Sequence, residues 1–170
     1  MTAKTLFVGG ARSGKSRLAL ATAERHAGPL HYLATAEIGD AEMAERIAMH
    51  QAERSARWQA VECPLDLPEA ISARSKGVIL VDCLTLWLSN LMLGGHPIER
   101  RSEDLLAAIA ATQLPLVIVT NEVGLGIVPA HPLGREFRDV AGRLNQKVAA
   151  RMDAAYFIVS GMVLPLHKFG

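Results

Sequence analysis

The run Gly9-Gly10-Ala11-Arg12-Ser13-Gly14-Lys15-Ser16 has the residue types and spacing to hold a polyphosphate. It reads Gly-x4-Gly-Lys-Ser, preceded by the apolar stretch Thr5-Leu6-Phe7-Val8 and followed by the helix-forming segment Arg17 to His26. A strand, this loop and a helix in that order form the P-loop in its expected context. Its glycines let the backbone turn tightly enough to aim successive N–H groups at one phosphate. The following helix adds the positive end of its dipole, and Lys15 adds a point charge at the outer phosphates. Ser16 is placed to offer its hydroxyl to Mg²⁺. The implied ligand is a nucleoside triphosphate.

Three further groups could complete a site around it. Val78-Ile79-Leu80-Val81-Asp82 is an apolar run ending in a carboxylate. In P-loop enzymes such an acid holds Mg²⁺ or its water shell. Thr120-Asn121-Glu122 ends another apolar run, where polar groups either sense a phosphate and orient an acceptor or simply cap the strand end. Arg46, His50, Arg54 and Arg57 recur at spacings of four, four and three, so on a helix they share one side. Neutral imidazole is a competent nucleophile, and guanidinium groups stabilise a transferring phosphate. A nucleophilic histidine is redundant in a kinase but useful to a nucleotidyl transferase that works through a covalent enzyme–nucleotide. The competing reading is a solvated charged face, with Glu42 pairing Arg46 and Glu53 pairing Arg57. A monofunctional P-loop small-molecule kinase would have such a face.

These groups must be positioned by alternating strands and helices, the signature of an α/β fold with a mainly parallel sheet. The pattern predicts strands at Thr5–Val8, Leu30–Ala34, Trp58–Glu62, Val78–Val81, Leu116–Thr120 and Tyr156–Val159. Predicted helices run over Ser16–His26, Asp40–Arg57, Leu67–Arg74, Thr85–Leu93, Ser102–Thr112 and Leu133–Met152. The Val78 and Leu116 runs are continuously apolar, as in strands covered on both faces. Leu84 to Leu93 is apolar enough to be a buried helix, with an oligomer contact or an apolar substrate surface as the other readings. Gly124 to Pro132 is a Gly- and Pro-rich loop beside a strand end, suited to a mobile active-site segment.

At 170 residues, half of them apolar and 21% charged, the chain has the composition of one globular domain over residues 1–170. Its net charge of +1, without a basic run, gives no footprint for nucleic acid. No apolar run is long enough for a membrane span. Cys63 and Cys83 lack metal-type spacing and read as reduced, buried thiols. His26, His31, His96, His131 and His167 read as surface or loop residues. The amino terminus leads almost directly into the P-loop strand, so a cytoplasmic location is expected.

From the P-loop to Ser160-Gly161 the chain resembles the bifunctional adenosylcobinamide kinase / adenosylcobinamide-phosphate guanylyltransferases of cobalamin biosynthesis. The resemblance is carried by Gly9 to Ser16, Tyr32-Leu33-Ala34-Thr35-Ala36, and Glu42 to His50 with Arg54, Trp58 and Glu62. Its most specific block is Thr120-Asn121-Glu122-Val123-Gly124-Leu125-Gly126-Ile127-Val128-Pro129, continued by Arg135 to Gln146. The resemblance implies a RecA-like P-loop NTPase fold and a homotrimer. It implies phosphorylation of adenosylcobinamide by ATP or GTP, then transfer of GMP from GTP through a GMP–histidine intermediate. That role maps onto His50, with Lys15 beside it in catalysis. By the same matching Gly9 to Ser16, Thr35, Ala36, Glu37, Gln51, Ala52, Glu53, Arg54, Glu62 and Asp82 would contact guanine nucleotide or its Mg²⁺. A shared P-loop with a moving His50 helix is then expected to select the step, with Gly39-Asp40 and the loop after Gly124 as hinges.

Overall fold

In the computed structural model, which describes residues 3–36 and 57–168, the strands assemble in one seven-stranded sheet of order β3-β2-β4-β5-β1-β6-β7. The strands are β1 (Lys4–Gly9), β2 (Leu30–Ala34), β3 (Trp58–Glu62), β4 (Val78–Asp82), β5 (Leu116–Asn121), β6 (Ala154–Val159) and β7 (Met162–Leu166). The first six run parallel, and β7 returns antiparallel to β6. The described helices are α1 (Lys15–Glu24), α2 (Leu67–Ser72), α3 (Leu84–Leu93), α4 (Ile98–Ala111) and α5 (Pro132–Ala149). This is the expected α/β architecture of a P-loop NTPase.

Alternation along the strands sorts the core into two layers. Leu6, Val8, Ile79, Val81, Leu116 and Ile118 face α2–α5, meeting Trp87, Leu105, Ile109 and Leu144 among others. Phe7, Val78, Leu80, Val117 and Val119 face the opposite side, where Ala19 and Ala23 of α1 pack. The small α1 residues let that helix lie close to the sheet. Trp87 is fully buried, and its indole N–H donates to the Leu65 carbonyl. The apolar segment at Leu84–Leu93 is therefore chiefly core, although Leu93 at its end is exposed. Arg101 on α4 forks onto both carboxylate oxygens of Glu69 at 2.7 and 2.8 Å, tying α4 to α2.

Three sequence readings are corrected. The strand β7 was not anticipated: all five of its residues are exposed, so it lacks the in–out alternation that marks a half-buried strand. The helix α4 begins at Ile98, four residues before the expected Ser102, just after Pro97 and with Glu99 in its first turn. His31 also departs from the surface reading. It is buried on β2, and Nε2 lies 3.0 Å from the Lys76 carbonyl, a contact that requires Nε2 to donate.

Both cysteines are buried and free. Burial, with Asp66 nearby, pushes the Cys63 thiol up to about 12, and burial beside Asp82 pushes Cys83 to about 11. In the unfolded chain both ionise near 9.0. The folded protein therefore holds more protons between those values, and the stability this gives is complete below pH 9 and lost as pH rises toward 11–12. We expect the urea midpoint to fall from pH 8.5 to 10.5, and to fall less in the Cys63→Ala, Cys83→Ala double variant, as measured by equilibrium denaturation.

Candidate active site

Because six strands run parallel, their carboxyl ends share one edge of the sheet, where α/β proteins bind ligands. Gly9, Ala34, Glu62, Asp82, Asn121 and Val159 end those strands. The expected Gly9–Ser16, Thr35, Ala36, Glu62, Asp82 and Thr120–Glu122 are thereby brought to a common edge. The loop leaves β1 at Gly9, where an added Cβ would collide with the Ile158 carbonyl and approach the Ser13 hydroxyl to 2.8 Å. Only glycine allows β1 and β6 to lie this close. The loop then passes through Arg12 at φ 55° and Gly14 at φ 95° before α1 starts at Lys15.

Lys15 is buried and reaches back to the Gly10 carbonyl at 3.0 Å. Burial lowers its pKa below the usual ammonium range, while Cys83 and Asp82 nearby oppose the shift. A partly desolvated cation held at the loop mouth is a strong partner for an anion. The Ser13 hydroxyl oxygen is buried with no hydrogen-bond partner among the described residues.

Asp82 ends β4, separated from β1 by β5 and so about 10 Å across the sheet. Tyr32 on β2 donates to its Oδ2 at 3.0 Å, orienting the carboxylate. Hydroxyl and carboxylate oxygens at Ser16 and Asp82 are the hard donors Mg²⁺ accepts. Among the described residues no three His, Cys, Asp or Glu form a metal cage.

Thr35 is fully buried, and its hydroxyl donates to the Cys83 carbonyl at 2.7 Å and accepts from the Cys83 N–H at 2.8 Å. Its own carbonyl accepts from Asn90. Thr35 thus ties β2 to the turn after Asp82. Glu62 is exposed on the edge strand β3, about 19 Å across the sheet from β1 and too far for a phosphate seated in Gly9–Ser16.

The two sequence readings of Thr120-Asn121-Glu122 divide residue by residue. The Asn121 N–H donates to the Thr85 hydroxyl at 2.7 Å, and Thr120 donates to Asn145 Oδ1 at 2.8 Å. With the Thr120 proton so committed, Thr85 supplies the proton of the 3.3 Å contact between the two hydroxyls. Asn145 then donates to the Asn121 carbonyl at 3.2 Å, closing a ring around the Asn121 peptide. Thr120 and the Asn121 backbone are structural, while Asn121 Oδ1 is buried with no partner among the described residues. Glu122 donates its N–H to the Gly9 carbonyl and accepts the Gly124 N–H. Spacing does not single out Thr85 and Asn145, since each lies 24 or more residues from its partners.

His50, the hinge at Gly39-Asp40, and Glu37, Arg46, Gln51, Ala52, Glu53 and Arg54 lie outside the described residues. Arg57 is described, and it corrects the shared-face reading for that residue. Its guanidinium donates to the carbonyls of Glu24, the last residue of α1, and of His26 and Gly28 in the turn before β2. That is the sheet edge opposite the P-loop, so Arg57 does not meet a phosphate held there.

Sheet, loop and acidic strand end define a P-loop nucleotide-binding protein. Residues 5–166 match the family described as cobinamide kinase / cobinamide phosphate guanyltransferase. The chain is similar to the bifunctional adenosylcobalamin biosynthesis protein CobP of Pseudomonas aeruginosa, 42% identical over 167 residues, with 96% of each chain covered. It is also 42% identical over 174 residues to the bifunctional adenosylcobalamin biosynthesis protein CobU of Salmonella typhimurium, covering 92% of this chain and 96% of the other. The CobU protein of Escherichia coli is 40% identical with the same coverage. The chain therefore belongs to the cobinamide kinase / cobinamide phosphate guanyltransferase family, whose chains combine phosphotransferase and nucleotidyltransferase activity.

The ring around Asn121 gives a direct test. Replacing Thr85 by Val keeps the shape but leaves the Asn121 N–H without its acceptor, which should cost about 1–3 kcal/mol of stability. Urea denaturation of Thr85→Val checks this, with Thr85→Ser expected to stay near the parent.

Proposed function

We propose that this chain carries out two successive transfers on one corrinoid, using one phosphate cradle. In the first, the aminopropanol hydroxyl of adenosylcobinamide takes the γ-phosphoryl group of ATP or GTP. In the second, GMP passes from GTP to the resulting phosphate, giving adenosylcobinamide-GDP and pyrophosphate. The observation that carries the reading is the P-loop cradle, with Lys15 at its mouth and Asp82 across β5, in a chain of this family.

The first step needs the acceptor in line with the γ-phosphorus while Lys15 neutralises charge on the leaving side. The acceptor oxygen–phosphorus bond forms, the bond from the γ-phosphorus to the β,γ-bridging oxygen breaks, the nucleoside diphosphate leaves, and the hydroxyl proton passes to solvent. The second step opens with His50 as nucleophile. Its neutral imidazole nitrogen attacks the α-phosphorus and the bond to the β-phosphate breaks, releasing pyrophosphate. An oxygen of the corrinoid phosphate then attacks the same phosphorus, breaking the P–N bond and returning free imidazole. Fixing GMP on the enzyme replaces one three-body encounter by two simpler ones.

Ser16 and Asp82 would hold Mg²⁺, with Tyr32 fixing the direction of the Asp82 carboxylate. The bound ion would supply charge neutralisation on the phosphates. Glu37, Gln51, Ala52, Glu53, Arg54 and Glu62 are assigned to the guanine nucleotide by family matching, as are Thr35 and Ala36. For Thr35 that role is indirect, through the Asp82–Cys83 turn. The same reading gives a homotrimer in the cytoplasm. The homotrimer is supported by the exposed apolar residues of β7, of the loop after Gly124 and, at Leu133, of the start of α5.

A shared cradle and a step-specific nucleophile predict a split between variants. Lys15→Ala should lose both activities by at least about a hundredfold. His50→Ala should still phosphorylate adenosylcobinamide and form no adenosylcobinamide-GDP. Chromatography of the corrinoid products, with ATP alone and then with GTP, separates these outcomes.

A further inference from the structure

A P-loop works only if its N–H groups point inward, and one of its peptides is aimed from outside the loop. The β6–β7 hairpin closes through the two residues Ser160 and Gly161, since Val159 pairs with Met162. Both turn residues have positive φ, 51° and 78°, the geometry of a type I′ turn. This turn lies against the P-loop: the Gly161 N–H donates to the Ser13 carbonyl at 2.9 Å. A Cβ added to Gly14 would lie 3.6 Å from Gly161 Cα. The approach follows from register, because Gly9 pairs with Ile158 and both chains then turn over the same end of the sheet.

We propose that Gly161 is a positioning residue for phosphate binding, acting through the Ser13–Gly14 peptide. In a planar trans peptide the C=O and the following N–H point in opposite directions. Holding the Ser13 carbonyl outward on Gly161 therefore turns the Gly14 N–H inward, toward the place where a P-loop seats its phosphate. The other carbonyls at the start of the loop are held from elsewhere, Gly9 by the Glu122 N–H and Gly10 by Lys15 and the Ser13 N–H. The described contacts give Ser13 one outside donor, and that donor depends on a left-handed turn that β-branched residues resist. The role uses only the phosphate-binding part of the proposed function and does not depend on which acceptor is used.

The test is GTP affinity with Mg²⁺, by titration calorimetry in a His50→Ala background so that no covalent step intervenes. Gly161→Asn keeps the N–H and tolerates positive φ; it should bind within about twofold of the parent. Gly161→Val should drive the turn out of this geometry and weaken GTP about tenfold, as expected when one donor to a charged group is misaimed. Gly161→Ala should fall between them and serves if the Val variant does not fold. Melting temperatures are measured alongside, and the affinity loss should exceed what they account for. Parent-like affinity in Gly161→Val or Gly161→Ala would overturn the proposal, as would equal weakening in Gly161→Asn and Gly161→Val. Failure of the two-step function would instead show, in the enzyme with His50 intact, as missing guanylyl transfer while GTP is still bound.

Discussion

Each backbone N–H turned toward a phosphate leaves a carbonyl turned away from it, and that carbonyl needs a donor. Much of the architecture around Gly9–Ser16 answers this constraint. The β5 end reaches the Gly9 carbonyl through Glu122, Lys15 folds back on Gly10, and the β6–β7 hairpin reaches Ser13. Two of these donors, Glu122 and Gly161, follow the two neighbours of β1 in the sheet, so the cradle depends on strand order as much as on its own glycines. The ring through Thr85, Thr120 and Asn145 belongs to the same arrangement, since it fixes the Asn121 peptide beside Gly9.

A cradle held this firmly suits two reactions at different phosphorus atoms. The polyphosphate can remain seated while the attacking group changes, from a hydroxyl at the γ-phosphorus to an imidazole at the α-phosphorus. In the proposed two-step reaction, selection of the step would fall to the elements bordering the edge. The Gly124–Pro132 loop is one of these, leaving the strand that touches the P-loop and exposing Leu125, Ile127 and Val128. Arg135 holds its far end through the carbonyls of Pro129 and Ala130.

The sequence was most legible where local chemistry alone decides structure. Val78–Val81 and Leu116–Val119 read as buried parallel strands because both of their faces are covered, and the P-loop is legible from spacing alone. Elements decided by tertiary contact were harder to read. The strand β7 carries Pro165 and exposes every side chain, and only Ser160-Gly161 between two apolar runs hinted at a hairpin. The spacing that put Arg57 on a face with His50 ignored the carbonyls beyond α1, which draw its guanidinium to the opposite edge. Thr35 lies within a family motif, but only the fold reveals that its hydroxyl is occupied by Cys83.

The central claim is that one P-loop serves a kinase and a covalent nucleotidyl transferase, and the covalent enzyme tests it most directly. The pure protein would be incubated with Mg²⁺ and GTP labelled at the α-phosphate, then denatured and counted. The account predicts label on the chain that survives alkali, is released by acid and is absent from His50→Ala, as a phosphoramidate requires. GTP binding with no label on the chain, while corrinoid phosphate is still made, would contradict it and leave a kinase alone.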